Sequence, residues 1–542
     1  MPKIAHYLQE HLVGEVTDSM EVRRYFSRDA SILQITPSVI VYPANENDVR
    51  KTTRFSWQLA QRGKILPITA RGGGSDTSGA AIGSGIIMAF TAHMDRILAL
   101  DPKKEFVTLE PGITFGSLQQ TLYTHGLFLP PYPTSSAYAT IGGGIANNSI
   151  GEKSVKYGDL GKYVEKLSVV LANGELIETG PINKRELNRK LGLTSLEGDI
   201  YRGIDTLIEE NQGVLADERS RIKAKHSRVG YNLFDVKKKG SFDLTPLILG
   251  SQGSLGIVVE ATLRLVEHNP AIELAVLSLN SLAELQDVLP KLVELKPSVC
   301  EMVNKAAIHE ITRANPNQLK GVVDNPSAEM HLILEFDDTK ESVQKKAIKQ
   351  LTKLAEKTSS YLLVAESSQE RERIYKLRQA VATLFLQTKG NAKAVPVAED
   401  ISVPTDRLAD FLNRAAEVYS MAQLQPAIWG HAGDGVVRMH PVLDLAQLGD
   451  RQKLFKLKDM LYDSALTMGG SISAAAGDGR IRAPYLGNVY GSEARQLMLR
   501  VKRIFDPAGI LNPGVKTASL DEVKAMLRSE YSHSHHEHLP HS

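Results

Sequence analysis

The chain lacks what would crosslink it, carry it across a membrane or draw it to nucleic acid. Among 542 residues there is one cysteine, Cys300. That excludes an intrachain disulfide and a cysteine-based zinc cage, and leaves Cys300 the expectation of a small buried hydrophobe in a reducing compartment. No apolar run approaches the roughly 20 residues of a membrane-spanning helix. The opening stretch MPKIAHYLQEHLVGEVTDS has no apolar centre of signal-peptide kind. A cytoplasmic protein is expected, with docking at the inner membrane face left open because it needs only a surface patch. An excess of one charge is missing too. Lys and Arg number 64 against 62 Asp and Glu, so there is no strongly basic footprint for nucleic acid.

The length exceeds what one hydrophobic core normally organises, so two large domains are expected. Residues 1–36 are mixed and polar, with helical stretches at Ile4–Leu12 and Glu21–Tyr25. The run Ser38–Tyr42 reads as a buried strand, Asn45 with Asp48 starts a helix to about Gln61, and Ile65–Ile68 reads as the next strand. Phe115–Thr124 reads as a short helix ended by Gly126. Val164–Leu171 and Glu175–Glu178 flank Asn173-Gly174 and predict a hairpin with a type I′ turn. After Pro270 strands and helices alternate: Ile272–Leu279, Leu282–Leu295, His331–Phe336, Glu341–Glu356, Tyr361–Glu366, Gln369–Lys389, Val395–Val403, Leu408–Tyr419 and Ala427–Val437. This predicts an α+β second domain, a sheet covered by helices on one face. Ser519 and Glu522 form a capping box for a helix through about Glu530. The tail 532–542, with five histidines, reads as solvated disorder able to bind transition metals loosely.

Three glycine segments stand out. Arg71-Gly72-Gly73-Gly74-Ser75-Asp76-Thr77-Ser78-Gly79 follows a predicted strand. Without side chains, consecutive backbone N–H groups can turn together toward an anion. It is neither a Walker loop nor a Rossmann fingerprint, and alone it is equally a plain turn. Pro133-Thr134-Ser135 with Thr140-Ile141-Gly142-Gly143-Gly144-Ile145-Ala146-Asn147-Asn148 repeats the pattern, as does Gly250-Ser251-Gln252-Gly253-Ser254-Leu255-Gly256-Ile257-Val258. Three such loops at strand ends suggest one extended ligand of dinucleotide size.

With PSVIVYP at 37–43, VTLEPG at 107–112, SRVGYNL at 227–233 and Asn512-Pro513-Gly514, these segments resemble the flavin-binding domain shared by vanillyl-alcohol oxidase and cresol methylhydroxylase. Leu377-Arg378, Glu399-Asp400, Gly430-His431-Ala432-Gly433-Asp434-Gly435 and Pro484-Tyr485-Leu486 resemble the group of glycolate oxidases and D-lactate dehydrogenases. The resemblance covers about 20–516. It implies a two-part PCMH-type FAD-binding domain at 37–268 and a ferredoxin-like cap with an antiparallel sheet at 269–516, its end returning to the FAD domain. A short helix at 517–531 follows. It further implies FAD held by the Arg71–Gly79 loop, by Pro133–Ser135 and Thr140–Asn148, and by Gly253, Gly256, Ile257 and Asn512. No histidine lies within the Arg71–Gly79 loop, so the FAD is expected to be non-covalent.

The resemblance implies oxidation of a small anionic substrate, a D-2-hydroxy acid, by hydride transfer to flavin N5. Oxygen, a quinone or another flavoprotein remain open as the electron acceptor, and the dimeric habit of relatives makes a homodimer a state to test. Many relatives carry a divalent metal held by Gly-His-x-Gly-Asp-Gly-Asn-Leu-His and Ser-Gly-Glu-His-Gly. Here His431 matches the first histidine, Arg438 takes the place of the second, and His440 lies two residues on. Ser473-Ala474-Ala475-Ala476-Gly477 puts alanines where glutamate and histidine would stand, so no metal site of that type is expected. His431, His440, Arg438 and Arg378 remain as candidate catalytic groups, Arg378 matching a substrate-carboxylate position; Asp434, Asp478, Arg480 and Arg482 stand nearby in sequence. Each arginine is alternatively a structural ion pair, and His431 a structural histidine. Two further readings stay open: a flavin protein that has lost its catalytic groups, and a non-redox flavoenzyme resembling alkylglycerone-phosphate synthase.

Overall fold

The run SVIVY forms the expected strand, and its neighbours set up the first sheet. A computed structural model describes residues 2–314, 317, 319, 327–382 and 391–529. Strands β1 (Glu15–Thr17), β2 (Val39–Tyr42), β3 (Ile68–Arg71) and β4 (Ile86–Ala89) lie in the order β1-β2-β4-β3. The β1–β2 pair is antiparallel and the other two are parallel. Helix α1 (Glu46–Gln61) starts where Asn45 accepts from the Asp48 N–H at 3.1 Å. The strand expected at Ile65–Ile68 begins only at Ile68. Pro67 has no N–H for a ladder, its carbonyl caps Ile86 at 2.8 Å, and Ile65 is exposed.

A second, wholly antiparallel sheet contains β5 (Ile97–Asp101), β6 (Phe106–Leu109), β7 (Val164–Val170), β8 (Leu176–Thr179) and β9 (Ile257–Arg264), in the order β5-β6-β9-β7-β8. The β7–β8 hairpin is present, but its turn is not type I′. Gly174 has φ +82° while Asn173 keeps negative φ, and the Gly174 N–H donates to Leu171 O at 2.9 Å. A left-handed glycine closing the turn is the G1-bulge arrangement. Between β6 and β7 run α2 (Phe115–Tyr123), α3 (Ile141–Asn147) and α4 (Ser154–Tyr157).

The cap sheet has seven strands: β10 (Glu273–Leu279), β11 (Val299–Asn304), β12 (Met330–Phe336), β13 (Tyr361–Val364), β14 (Ala398–Ser402), β15 (Ala427–Gly430) and β16 (Val436–His440). Their order is β13-β10-β12-β11-β15-β16-β14 and every pairing is antiparallel. Helices cover both faces, not one. Ala275, Leu277, Leu332 and Leu334 pack with α5 (Leu282–Glu294), α7 (Glu341–Thr358) and α9 (Leu408–Met421). Leu274, Val276 and Ile333 pack with α6 (Lys305–Ala314) and α8 (Ser368–Ala382) on the other side. Strands buried on two faces read as near-continuous apolar runs, as ELAVLSL and MHLILEF do. The stretch expected to continue through Ala427–Val437 is two strands, because Gly430 (φ +151°) and Gly435 (φ +68°) fold the chain back between β15 and β16. Of the predicted helix Gln369–Lys389, the part at 383–389 lies outside the described residues.

After α10 (Leu448–Thr467) the chain returns to the first sheet, where Ile68 N–H donates to Ile510 O and Asn512 N–H to Ile68 O, both at 2.7 Å. The capping box of Ser519 and Glu522 starts a helix that ends at Ala525, short of the expected Glu530. Arg528 then joins Ile32 through a backbone bond of 2.9 Å. The histidine-rich tail 532–542 lies outside the described residues. The two large parts are also joined by buried charge: Lys153, just before α4, pairs with Glu335 and with Asp337 at 3.0 Å, and Lys156 pairs with Asp337 at 2.6 Å.

Candidate active site

One cleft of about 250 Å³ runs from the glycine loops of the first part to β15 and β16 of the cap. Its glycine end is built by close backbone approach. A methyl at Gly72 would stand 2.1 Å from Thr140 Oγ1, and one at Gly73 the same distance from Tyr138 O. The two glycine loops therefore interlock only without side chains. Thr140 Oγ1 also accepts the Gly143 N–H, starting α3. A methyl at Gly253, by contrast, would meet no protein atom nearer than 3.8 Å.

Of the residues expected along FAD, Arg71, Gly72, Gly73, Gly74, Ser75, Asp76, Pro133, Thr134, Ser135, Thr140, Gly142, Gly143, Ala146, Asn147, Gly253, Gly256 and Ile257 line this cleft. Ser78, Gly79, Ile141, Asn148 and Asn512 do not; they stand behind it as supports. Asn512 donates to the carbonyls of Ala80 and Gln252, each at 2.8 Å, and so ties β3's loop to the third glycine segment. Asn148 accepts the Gly161 N–H at 2.8 Å. Ser78 and Ala80 N–H groups fold onto the Asp76 carboxylate. Arg71 lines the cleft, but its Nη1 is turned into the loop, donating to Arg28 O at 2.6 Å and Ala81 O at 3.2 Å. Asp29 also faces this end, where burial and the neighbouring Asp76 push its carboxyl up to about 7.

The other end carries the candidate catalytic groups. His431 Nδ1 meets Glu301 Oε1 at 2.5 Å, leaving its Nε2 buried without a protein partner. His440 bonds through Nε2 to Glu399, leaving Nδ1 free in the same sense, and packs edge-on to Trp429 at 4.3 Å. Arg438 is joined to Glu399 at 3.3 Å. His431, Arg438, His440 and Glu399 all line the cleft. Burial alone would raise the Glu399 carboxyl, but the charge and hydrogen bond of His440, with Arg438 and Arg482, outweigh it and hold it at about 2.

The loop carrying His431 is fixed from the first part. Asp434 accepts from Ser154, from Lys225 at 2.5 Å, and lies 3.4 Å from His226. Burial opposes its ionisation, yet these partners hold it well below the usual carboxylate range. Arg480 and Arg482 are structural. Arg480 holds Gly79 O, Asn512 and Pro513 O, and Arg482 holds Gly477 O and Glu399 O. Asp478 pairs with Lys516 at 2.7 Å.

Arg378 lies apart from this lining. It sits on α8 and its guanidinium is paired with Glu152, whose other oxygen accepts from Tyr132 at 2.8 Å; burial brings it down to about 10. The segment Ala474–Ala476 has backbone N–H groups converging on Asp400, all between 2.8 and 2.9 Å, while Ala475 and Ala476 line the cleft. Among the described residues no group of three or more His, Cys, Asp or Glu is placed to hold a metal ion.

Sequence reasoning missed Glu301 and Asp29, and it named Glu399 and Gln252 only within motifs, without a role for either. A signal existed for two of them. Glu301 sits inside the buried strand VCEMVN and Glu399 inside AEDIS, and a carboxylate in a buried strand requires a partner.

The model for the FAD binding domain matches residues 37–180, and the model for the C-terminal domain of FAD linked oxidases matches 268–515. The chain is 29% identical over 522 residues to D-2-hydroxyglutarate dehydrogenase of Escherichia coli, covering 93% of this chain and 50% of that protein. It is 27% identical over 507 residues to the glycolate oxidase subunit GlcD of Bacillus subtilis, covering 92% of this chain and 93% of that one. The chain spans about half the length of the D-2-hydroxyglutarate dehydrogenases it matches. A solved 4-ethylphenol oxidase from Gulosibacter chungangensis superposes with TM-score 0.69 at 14% identity, over 96% of this chain and 98% of that one, which shows a shared fold. With both domain models matched in order and a glycine-built cleft between the matched parts, this chain belongs to the FAD-linked oxidases and its cofactor is FAD.

Proposed function

We propose that this chain oxidises the CH–OH carbon of an anionic D-2-hydroxy acid, with FAD bound non-covalently and no divalent metal. The observation that carries the reading is the pair of buried, unpartnered ring nitrogens, His431 Nε2 and His440 Nδ1, beside Arg438 on one wall of the cleft that the glycine loops close. FAD, when bound, supplies the acceptor for the hydride leaving the carbinol carbon. Glu301 holds the His431 proton on Nδ1, so Nε2 is the lone pair that takes the hydroxyl proton. Arg438 is the cation that meets the substrate carboxylate. Glu399 holds Arg438 and His440 in register.

The residues present do not fit the divalent metal of the related group. Arg438 brings a positive charge where a ligand would stand, and Ala475 and Ala476 bring methyl groups. Non-covalent binding is supported by the glycine loops, whose cleft-lining residues Gly72–Thr77 and Pro133–Ser135 include no histidine or cysteine.

The test is anaerobic mixing of FAD-loaded, chelator-treated protein with D-2-hydroxy acids. Loss of the oxidised flavin's visible absorption is expected with at least one of them. Retained FAD with no loss across a broad panel would instead favour a flavin-binding protein.

A further inference from the structure

The walls of the cleft differ in kind, and the difference bears on the substrate. Only two cations other than histidine line it among the described residues, Arg71 and Arg438. Arg71 is occupied by backbone carbonyls and stands over the ring of Phe26 at 5.1 Å, well inside the loop. Arg438 is therefore the single guanidinium available to a substrate at the catalytic end. Its surroundings are already anionic, since Glu399 and Glu301 flank the two histidines. A second carboxylate on the substrate would find no second guanidinium, and His440 is already paired with Glu399.

Beside these groups the lining is apolar, Trp429 being the cross-strand partner of Arg438. Ile150, Val436, Ala474 and Ala475 form a small buried cluster of their own, and Ile150 and Ala475 reach the cleft, as do Ala476 and Trp429. This wall is fixed rather than adaptable, because three alanine N–H groups are tied to the Asp400 carboxylate. A methyl-sized substrate group leaves most of such a surface wet; a larger apolar group covers it.

We infer that this site takes a 2-hydroxy monocarboxylate with an apolar side chain larger than methyl, its carboxylate on Arg438 and its side chain against Ile150, Ala475 and Trp429. The inference rests on the oxidoreductase reading above and narrows it. It separates this chain from dicarboxylate chemistry, and it assigns the Glu- and His-to-Ala exchange at Ala475 and Ala476 a positive role in making room.

Two measurements on the FAD-loaded protein test it. The first is the rate of anaerobic flavin reduction by D-lactate, D-2-hydroxyglutarate, D-2-hydroxy-4-methylpentanoate and D-3-phenyllactate. The second is the shift of the flavin absorption on titration with the matching 2-oxo acids, which reads binding without turnover. The branched or aromatic acid is expected to exceed D-lactate by about tenfold or more in kcat/KM, and D-2-hydroxyglutarate to be poorest. In Ala475→Phe the order should invert, with D-lactate favoured. If D-2-hydroxyglutarate or D-lactate is fastest in the unmodified protein, the inference falls and the oxidoreductase reading survives. If no acid reduces the flavin but the bulky 2-oxo acids bind tightest, the oxidoreductase reading falls and the pocket assignment survives. Absence of both signals overturns both.

Discussion

Gln252 donates through Nε2 to the carbonyl oxygen of Ala476 at 3.0 Å, joining the third glycine loop to the alanine segment of the cap. The same amide nitrogen reaches Ser78 Oγ and Asn147 Oδ1, each at 2.9 Å, and its oxygen accepts the Gly479 N–H at 2.7 Å. One buried side chain thus fixes both glycine loops and the substrate wall relative to each other. Gln252→Leu removes every one of these bonds and strands several buried polar groups, at a cost of roughly 2–4 kcal/mol. The expected outcome is a lower Tm and FAD affinity weakened by about tenfold or more, measured by flavin fluorescence on dilution. Unchanged FAD affinity would show that the loops hold their shape without this tie.

Asp400 does for the alanine segment what Gln252 does for the loops. It holds φ +69°, and its carboxylate collects the N–H groups of three consecutive alanines. Asn tolerates that backbone conformation, so Asp400→Asn isolates the loss of charge-assisted bonds from backbone strain. A loss of about 2–3 kcal/mol in stability is expected, with KM for the best substrate rising more than kcat falls. Equal stability in urea unfolding would contradict this role.

His431 is the proposed base and Glu301 its positioning residue. His431→Asn should slow anaerobic flavin reduction by roughly 10²–10⁴-fold while FAD titration stays unchanged. Glu301→Gln replaces the acceptor that fixes the Nδ1 proton with a group that can also donate, so His431 can take the wrong tautomer. Reduction should slow without a change in 2-oxo acid binding. Should His440→Asn abolish reduction while His431→Asn leaves it intact, the roles of the two imidazoles are reversed.

Much of this could be read along the chain, and what could not has a common cause. Glycine loops announce themselves because a missing side chain is visible in sequence. That Arg438 and His440 share a face follows from the period-two geometry of Val436–His440, and both line the cleft. That Glu301 and Glu399 need partners could be read from their buried strands, but not which partners, because they arrive from strands about 130 and 40 residues away and meet the histidines only through the sheet order. The same applies to helices on both faces of the cap. Alternation puts Leu274 and Ala275 on opposite faces, but only the fold shows that helices cover both. Arg378 shows another limit: its motif position implied substrate contact, and only the fold shows its guanidinium paired with Glu152, 226 residues earlier in the chain.

Lys458 gives a prediction that reads stability alone. On α10 it is fully buried, its ammonium has no hydrogen-bond partner, and the nearest ring, Phe455, lies 5.8 Å away. Burial, with the Arg482 charge adding to it, pushes the amine down from 10.5 to about 7. Between those values the unfolded chain carries a proton that the folded protein does not. Unfolding then takes up a proton, so this group makes the fold more stable as pH rises from about 7 toward 10.5, by up to about 1.4 kcal/mol per pH unit. Below about 7 both states are protonated and the penalty is at its full size. Lys458→Met fills the same space without the charge, so its gain in Tm should be largest at pH 6–7 and shrink steadily toward pH 10. Thermal unfolding of the two proteins across that range checks the sign. A gain that is flat with pH would mean that the amine finds solvent or a partner in the folded protein.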